Sequence, residues 1–410
     1  MEGSIFTAAL GVELPWFVES VEFDSGQRRL DIRLDFKRGS RFEVDDVDCA
    51  VHDTVDTEWR HLNFFQHECY LHARVPRVNT PDGRVLMVMP PWSGKLAGFT
   101  LLFEALLIQL CKHMPVSQVA QMVGVSDYRL WRMLDVYVSA ARFSEDYSDV
   151  SAVGMDETSI ARGHHYITLF VDLLLRRTIH VAEGKGADTV KAFVKDLGQH
   201  GGDPKNITDV SCDMSPAFIK GVTEHLPNAK ITFDKFHILK IINEAVDEVR
   251  REEAKTNPLL AGSRYIFLKN EANLSAKQRE KKAELTIANL NLKSMEALRM
   301  RENFQAIYRV VTSGLFVKYL RAWVKWVGSC GLKPMENAAA MVLRHWDGIV
   351  RWKQSLINNG LLEGLNSTVQ AAKRKARGYK IQHLITMTYL LTGKLNLAKV
   401  NHHIQPTRFS

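Results

Sequence analysis

The hydrophobic period changes twice along this chain, and each change limits what the residues that follow can fold into. Residues 17–88 alternate polar and apolar side chains in short runs such as SVEFD, LDIRLDF and CYLHARVPRV, broken by Gly and Pro. A period of two sets one face of a strand on a core and the other in water, so this stretch predicts a small β-rich module. From Gly98 the period becomes helical: Phe99, Leu102, Phe103, Leu106, Leu107 and Leu110 form one stripe that stops at Met114-Pro115. A third pattern starts at Ser151. VSAVGMDETS, YITLFVDLL and RTIHVAEG read as three strands joined by short turns, a helix follows near 188–199, and NITDVSCDMS reads as a fourth strand. That order predicts a mixed sheet with helices on its faces. Residues 215–330, rich in Lys, Glu, Ala and Leu, predict a helical insertion, most of it solvated scaffold.

With 410 residues, 46% of them hydrophobic, there is core for several domains, and disordered, collagenous and disulfide-stapled classes are excluded. No run approaches the roughly 18 apolar residues of a membrane helix. The first residues carry Glu2 and Glu13 and lack a basic leader, so a cytoplasmic place is expected. Five cysteines, an odd and sparse set, predict reduced thiols. The net charge of +8 is unevenly placed: after Glu363 there is no acid, while Lys373, Arg374, Lys375, Arg377, Lys380, Lys394, Lys399 and Arg408 follow. Such a one-signed surface attracts a polyanion. Leu384, Ile385, Met387, Tyr389, Leu390 and Leu391 among these bases predict folded structure rather than a tail.

Between the β-rich module and the mixed sheet lies SQVAQMVGVSDYRLWRMLDVYV. Ser117 can cap a short helix, Gly124 can make the tight turn, and Ser126 can cap a second helix holding Leu130, Met133, Leu134 and Tyr137. This is helix-turn-helix patterning, shared with ordinary helical hairpins. The second helix carries Asp127, Arg129 and Arg132 near its start, where a recognition helix meets base edges and phosphates.

Two strands end in carboxylates: Asp156 closes the apolar run 150–155, and Asp213 follows Val210-Ser211-Cys212. Both are expected at the carboxyl edge of the sheet, where ligands sit in open α/β folds and where two acids repel unless a cation or proton separates them. Oxygen ligands alone favour magnesium or manganese. A third acid, Glu363, lies in NNGLLEGLNSTVQAAKRKARGYK, with Asn358 to Gly360 marking a loop before a helix. On that helix Glu363, Asn366, Gln370, Arg374 and Arg377 recur at spacings of three or four, an acid followed by bases. Carboxylates that hold two metals, with guanidinium groups gripping phosphates, suit in-line phosphoryl transfer, the chemistry of nucleases and of strand transfer.

The strings GMDETS, DVSCDMSPAFIKGV, LPNAKITFDKFH and NGLLEGLNSTVQAAKRKARGY resemble bacterial insertion-sequence transposases of the ISL-three type, within the RNase H-like DDE transposases. WRHLNFFQHECYLHARVPRV and the helix-turn-helix resemble that family's amino-terminal half, so the resemblance spans nearly the whole chain. It implies that Asp156, Asp213 and Glu363 are the DDE triad and metal ligands, 57 and 150 residues apart, with a helical insertion in the longer gap. It places DKFH, with Asp234 and His237, near the active site, where Asp234 can equally cap a helix. The implied organisation is a β-rich zinc-ribbon-like module over 1–95, a helix-turn-helix over 96–148, an α/β RNase H-like core over 149–245, an insertion over 246–350, and a catalytic-domain part with the third acid and a basic helix over 351–410. The implied cofactor is Mg2+ or Mn2+. The implied partner is double-stranded DNA, both transposon ends and target, with DNA contacts from Arg129, Arg132, Lys373, Arg374 and Arg377. Synapsis of two ends implies a homodimer or larger assembly, cytoplasmic and nucleoid-associated. The family's ribbon ligand positions hold Val44, Val47, Asn79 and Asp82 here, so no structural zinc is expected. Cys49-x-x-His52 and Cys69-x-x-His72 are spaced for zinc but lie elsewhere, and a separation of three on a strand would point Cys69 and His72 to opposite faces. Two other readings stay open: a transposase-derived DNA-binding protein without catalysis, and an RNase H-like nuclease that cuts without joining.

Overall fold

The computed structural model describes residues 2–161, 165–288, 292–355, 357 and 360–404. Asn358 and Asn359 of the expected loop, and Arg408, lie outside the described residues. The chain divides into two compact units, Met1–Glu145 with Val369–Ser410, and Asp146–Thr368.

The first unit opens with helix α1 (Glu2–Leu10) and six strands: β1 (Trp16–Asp24), β2 (Arg29–Phe36), β3 (Arg41–Val44), β4 (Val47–Phe64), β5 (His67–Asn79) and β6 (Val85–Met87). They form one sheet in the order β1-β2-β5-β4-β3, with β6 on β5. The period-two pattern appears as burial: Leu30, Ile32 and Leu34 on β2, and Cys69, Leu71, Ala73 and Val75 on β5, fill a core with Trp16 and Trp59. Helix α2 (Leu101–His113) is capped by Thr100, whose hydroxyl accepts from Phe103 N. Its buried face differs from the expected stripe: Leu106 is exposed, while Ile108, Cys111 and Glu104 are buried. The helix is apolar on nearly all sides, so periodicity alone could not choose its inner face. Glu104 is held by the N–H groups of Lys95 and Leu96, both at 2.8 Å, and by the Tyr137 hydroxyl at 2.6 Å.

Helix α3 (Val116–Val123) starts at Pro115, so Ser117 lies inside its first turn and is not the cap. A proline just before a helix sets φ for entry and has no N–H to leave unpaired, which moves the start forward. Gly124 takes the left-handed conformation (φ 70) that ends α3, and α4 (Asp127–Phe143) follows from Ser126.

The second unit holds a five-stranded sheet ordered β11-β10-β7-β8-β9: β7 (Ala152–Ala161), β8 (His165–Asp172), β9 (Arg177–Glu183), β10 (Asp209–Cys212) and β11 (Lys230–Phe233). The first three run as an antiparallel meander and the last two join parallel, giving the expected mixed sheet. Helices α5 (Ala187–Gln199) and α6 (Pro216–His225) connect them. Beyond β11 come α7 (Lys235–Glu253), α8 (Arg264–Leu268), α9 (Ala276–Ala288), α10 (Lys293–Ile307), α11 (Ser313–Val327), α12 (Lys333–Arg344) and α13 (Trp346–Ser355). These helices are more than solvated scaffold, because Ile242, Val246, Leu298, Phe304, Phe316 and Leu320 continue the core of the sheet. Arg301 is buried there and donates to the carbonyls of Phe267 and Lys269.

Helix α14 (Gly360–Lys375) begins in the second unit and ends in the first, where α15 (Ile381–Thr392) packs on α4. Trp131 stacks on His383 at 3.8 Å between ring centroids, and the Thr386 hydroxyl donates to Asp135 at 2.7 Å. The basic carboxyl-terminal segment is folded, with Leu384, Met387, Tyr389 and Leu390 buried. Residues 369–410 belong to the first compact unit.

Candidate active site and DNA-reading face

The parallel strands set the acids in register. β10 pairs with β7 as Val210↔Val153 and Ser211↔Gly154, and with β11 as Ser211↔Thr232 and Cys212↔Phe233. Continuing both registers puts Asp156, Asp213 and Asp234 at one level across three neighbouring strands. Asp156 is not a strand terminus as expected, because β7 runs on to Ala161 against β8. It sits where β7 outruns β10, and so still lies at the carboxyl edge of the parallel part.

Each acid is held by local bonds. Asp156 Oδ1 accepts from Glu157 N at 2.9 Å, and Asp213 Oδ1 accepts from Ser215 N at 2.9 Å. Asp234 caps α7 through Phe236 N at 3.1 Å, and its Oδ2 lies 2.9 Å from His237 Nδ1, so the cap and the site partner are the same residue. Burial pushes the Asp156 carboxyl up to about 6, with the Asp213 charge adding to the rise and His237 opposing it. His237 is raised above its ordinary value, chiefly by its bond to Asp234 and then by the charges of Asp156 and Asp213. One imidazole thus faces a row of carboxylates that favour its charged form.

Glu363 occupies the first turn of α14, exposed, and its carboxyl is raised by partial desolvation and by Asp234, with His237 opposing. One turn later Asn366 is buried and its Nδ2 donates to Asp156 Oδ2 at 2.5 Å. The helix comes this close because residue 154 has no side chain: a Cβ there would stand 2.7 Å from Leu362 Cδ1. The structure therefore joins Asp156, Asp213, Asp234 and His237, with Glu363 on the Asp234–His237 side. Asn366 belongs on the buried face of α14 with Leu362 and Val369 rather than on an exposed stripe, a distinction that spacing could not make. Glu336, the alternative third carboxylate between Asp213 and the basic helix, accepts from Gly331 N at 3.0 Å. Of the tryptophans that precede Glu363 in sequence, Trp323 is buried and donates to Met300 O, Trp352 packs on Tyr308, and Trp326 is exposed.

On the helix-turn-helix, Arg132 is exposed on α4. Arg129 is already engaged: its guanidinium lies over Phe99 at 4.0 Å and donates to Ala97 O at 3.2 Å. Arg374 and Arg377 are exposed, and Lys373 is half-buried.

The ribbon-like module gives no zinc-shaped donor set among the described residues. Val44 and Val47 pair across a two-residue turn in which Asp45 and Asp46 both have positive φ. Arg84 bridges this turn to the β5–β6 loop, 3.8 Å from Asp45 and bonded to Asp82. Cys69 pairs with His61 on β4, twelve residues along from Cys49, a span of roughly 40 Å. Cys69 is buried, which pushes its thiol up to about 12, and His72 points away from it to Asp31 at 2.6 Å. Among the described residues the one group of three metal-type ligands with atoms all within 4.8 Å is Asp31, Glu58 and His72, and Arg29 already bonds both acids.

A helix-turn-helix and an α/β domain with a row of acids are the parts that define a DNA-binding phosphoryl-transfer enzyme. Comparison with known proteins makes this specific. Residues 153–388 match the DDE transposase model of the ISL3 group, residues 88–138 the helix-turn-helix domain of transposase family ISL3, and residues 47–79 the zinc-finger of transposases IS204, IS1001, IS1096 and IS1165. The first match covers more than half of the chain, which belongs to the ISL3 family of DDE transposases, DNA-binding enzymes that use divalent metal. The transposase of insertion sequence element IS1001 from Bordetella parapertussis is 25% identical over 341 residues, 81% of this chain and 83% of its own. That of IS1557 from Mycobacterium tuberculosis (strain CDC 1551 / Oshkosh) is 25% identical over 435 residues, 95% of each. A simian T-cell lymphotropic virus intasome in complex with PP2A regulatory subunit B56 gamma covers 46% of this chain and 69% of its own at 13% identity and a TM-score of 0.17, which carries no argument. Among the described residues no helix is long and apolar enough to cross a membrane.

The chemistry of the donors at the acid row suits a hard divalent cation, while among the described residues no three of its carboxylate and imidazole groups have ligand atoms all within 4.8 Å of one another. Its acids offer oxygens, burial raises the Asp156 carboxyl to about 6, and Asn366 Oδ1 is buried with no hydrogen-bond partner among the described residues. An amide oxygen left so costs about 1–3 kcal/mol, which a cation or its water removes.

Proposed function

We propose that this transposase binds the terminal inverted repeats of its element and, at the site of Asp156, Asp213 and Glu363, cuts the ends and joins their 3′-hydroxyls to target DNA. The register that brings Asp156 and Asp213 side by side carries this reading. Asp156, Asp213 and Glu363 would hold Mg2+ or Mn2+, which supplies activation of the attacking oxygen and stabilisation of the leaving one. Glu157 N and Asn366 orient the Asp156 carboxylate, Ser215 N orients Asp213, and the His237–Asp234 pair balances the negative row. The antiparallel meander extended by two parallel strands, with acids on the first and after the fourth, supports an RNase H-like core over 149–245 carrying an insertion over 246–350. Residues 96–148 would read DNA through Arg132 with Arg129, and Lys373, Arg374 and Arg377 would grip backbone phosphates. Holding two ends requires a homodimer or larger assembly, working in the cytoplasm on the nucleoid. The test is magnesium- or manganese-dependent cleavage and joining of a labelled end: wild type should do both, and Asp156→Asn or Asp213→Asn neither. Cutting without joining would favour a nuclease, and full activity in the variants would remove the mechanism.

A further inference from the structure

Asn366 is 9% exposed, and the 2.5 Å contact of its amide with Asp156 fixes which end is which. A carboxylate oxygen at that distance demands the NH2 group, because an amide oxygen would be repelled. Oδ1 is then the buried atom without a partner among the described residues. The two heteroatoms of an amide lie about 2.2 Å apart, so Oδ1 is within about 5 Å of Asp156 Oδ2. Two oxygens that cannot donate to one another are thus held together out of water, beside Asp213 at the same level of the sheet. A hard cation is the group that satisfies such a pair, since it takes carboxylate and amide oxygens alike.

We propose that Asn366 is a further oxygen donor of the divalent-cation site, holding Asp156 through Nδ2 and giving Oδ1 to the cation or to a water bound on it. The inference rests on the assignment of Asp156, Asp213 and Glu363 as the cation-binding acids. It also gives a reason for Gly154, whose missing side chain lets α14 come close enough for this contact.

The experiment uses the full chain and Mn2+ as probe, with binding read by electron paramagnetic resonance of the free ion and no DNA present. In Asn366→Ala and in the volume-matched Asn366→Leu, the dissociation constant should rise about 10- to 100-fold. Asn366→Asp, which keeps an oxygen at the position, should restore it to near the wild-type value. The Mn2+ concentration for half-maximal end cleavage should rise by the same factor in Asn366→Ala, and saturating Mn2+ should recover most of the activity. Unchanged Mn2+ affinity in Asn366→Ala or Asn366→Leu, with binding lost in Asp156→Asn, overturns the role of Asn366 and leaves the acids in place. Equal weakening in Asn366→Asp and Asn366→Ala overturns the donation by Oδ1. Unchanged affinity in Asp156→Asn overturns the acid assignment itself.

Discussion

Asp156 shows what a buried carboxylate costs the fold. Its ordinary value of 3.8 is raised to about 6 by burial, so the folded chain keeps the proton to a higher pH than the unfolded one. Below the unfolded value near 4 there is no penalty, and the charge weighs on the fold as pH rises through about 6. Two units correspond to about 3 kcal/mol as an upper figure. Metal-free Asp156→Asn should therefore unfold at higher temperature than wild type at pH 7.5, with the gap closing by pH 4, in calorimetry at both pH values. An equal gap at both would show that charge is not the cause. For the third acid, Glu363→Gln should lower metal-dependent cleavage and joining roughly 10²- to 10⁴-fold, while Glu336→Gln, a loop-capping residue, stays near wild type in the same assay. The reverse result would move the third acid to Glu336.

At the scale of elements, Arg129 and Arg132 of α4 separate. Arg132→Ala should weaken binding to transposon ends by about 1–3 kcal/mol and flatten the salt dependence, measured by fluorescence anisotropy at several salt concentrations. Arg129→Ala should act first on stability, because its guanidinium already lies on Phe99. End binding unaffected by Arg132→Ala would mean another surface reads the repeat. In the ribbon-like module the facing turns are joined by Arg84, Asp45 and Asp82 instead of thiolates. Metal analysis of the purified protein should find no stoichiometric zinc, and chelation should leave the module's melting unchanged. One zinc per chain, lost on Cys49→Ser or Cys69→Ser, would contradict this.

At the scale of the whole molecule, the helix-turn-helix and the row of acids lie in different compact units, Met1–Glu145 with Val369–Ser410 and Asp146–Thr368. Asp156→Asn, Asp213→Asn and Glu363→Gln should leave end binding near normal while abolishing transfer. Combining two of them should lose little beyond one, since ligands of one site act as a unit. A gel-shift titration beside the cleavage assay checks both statements, and loss of end binding in any single variant would show that the acids also hold DNA.

Period two, period three-to-four and strand-helix alternation are local properties, so the ribbon-like sheet, the helix pair and the order of strands are legible in the residues alone. Asp156 and Asp213 are legible for the same reason, because apolar strands run into them. The inner face of α2 is not, because a helix apolar all round is turned inward by its neighbours, and Glu104 goes in with it. The start of α3 departs from the expected cap because Pro115 outranks Ser117 as an entry signal. Long-range packing alone places Asp234 beside Asp213, since parallel register is set by backbone pairing between strands far apart in sequence. The same packing turns Asn366 from a polar position on a helix face into a buried partner of Asp156. That contact depends on how closely α14 approaches β7, a distance fixed by the absent side chain of Gly154 and the packing of Leu362.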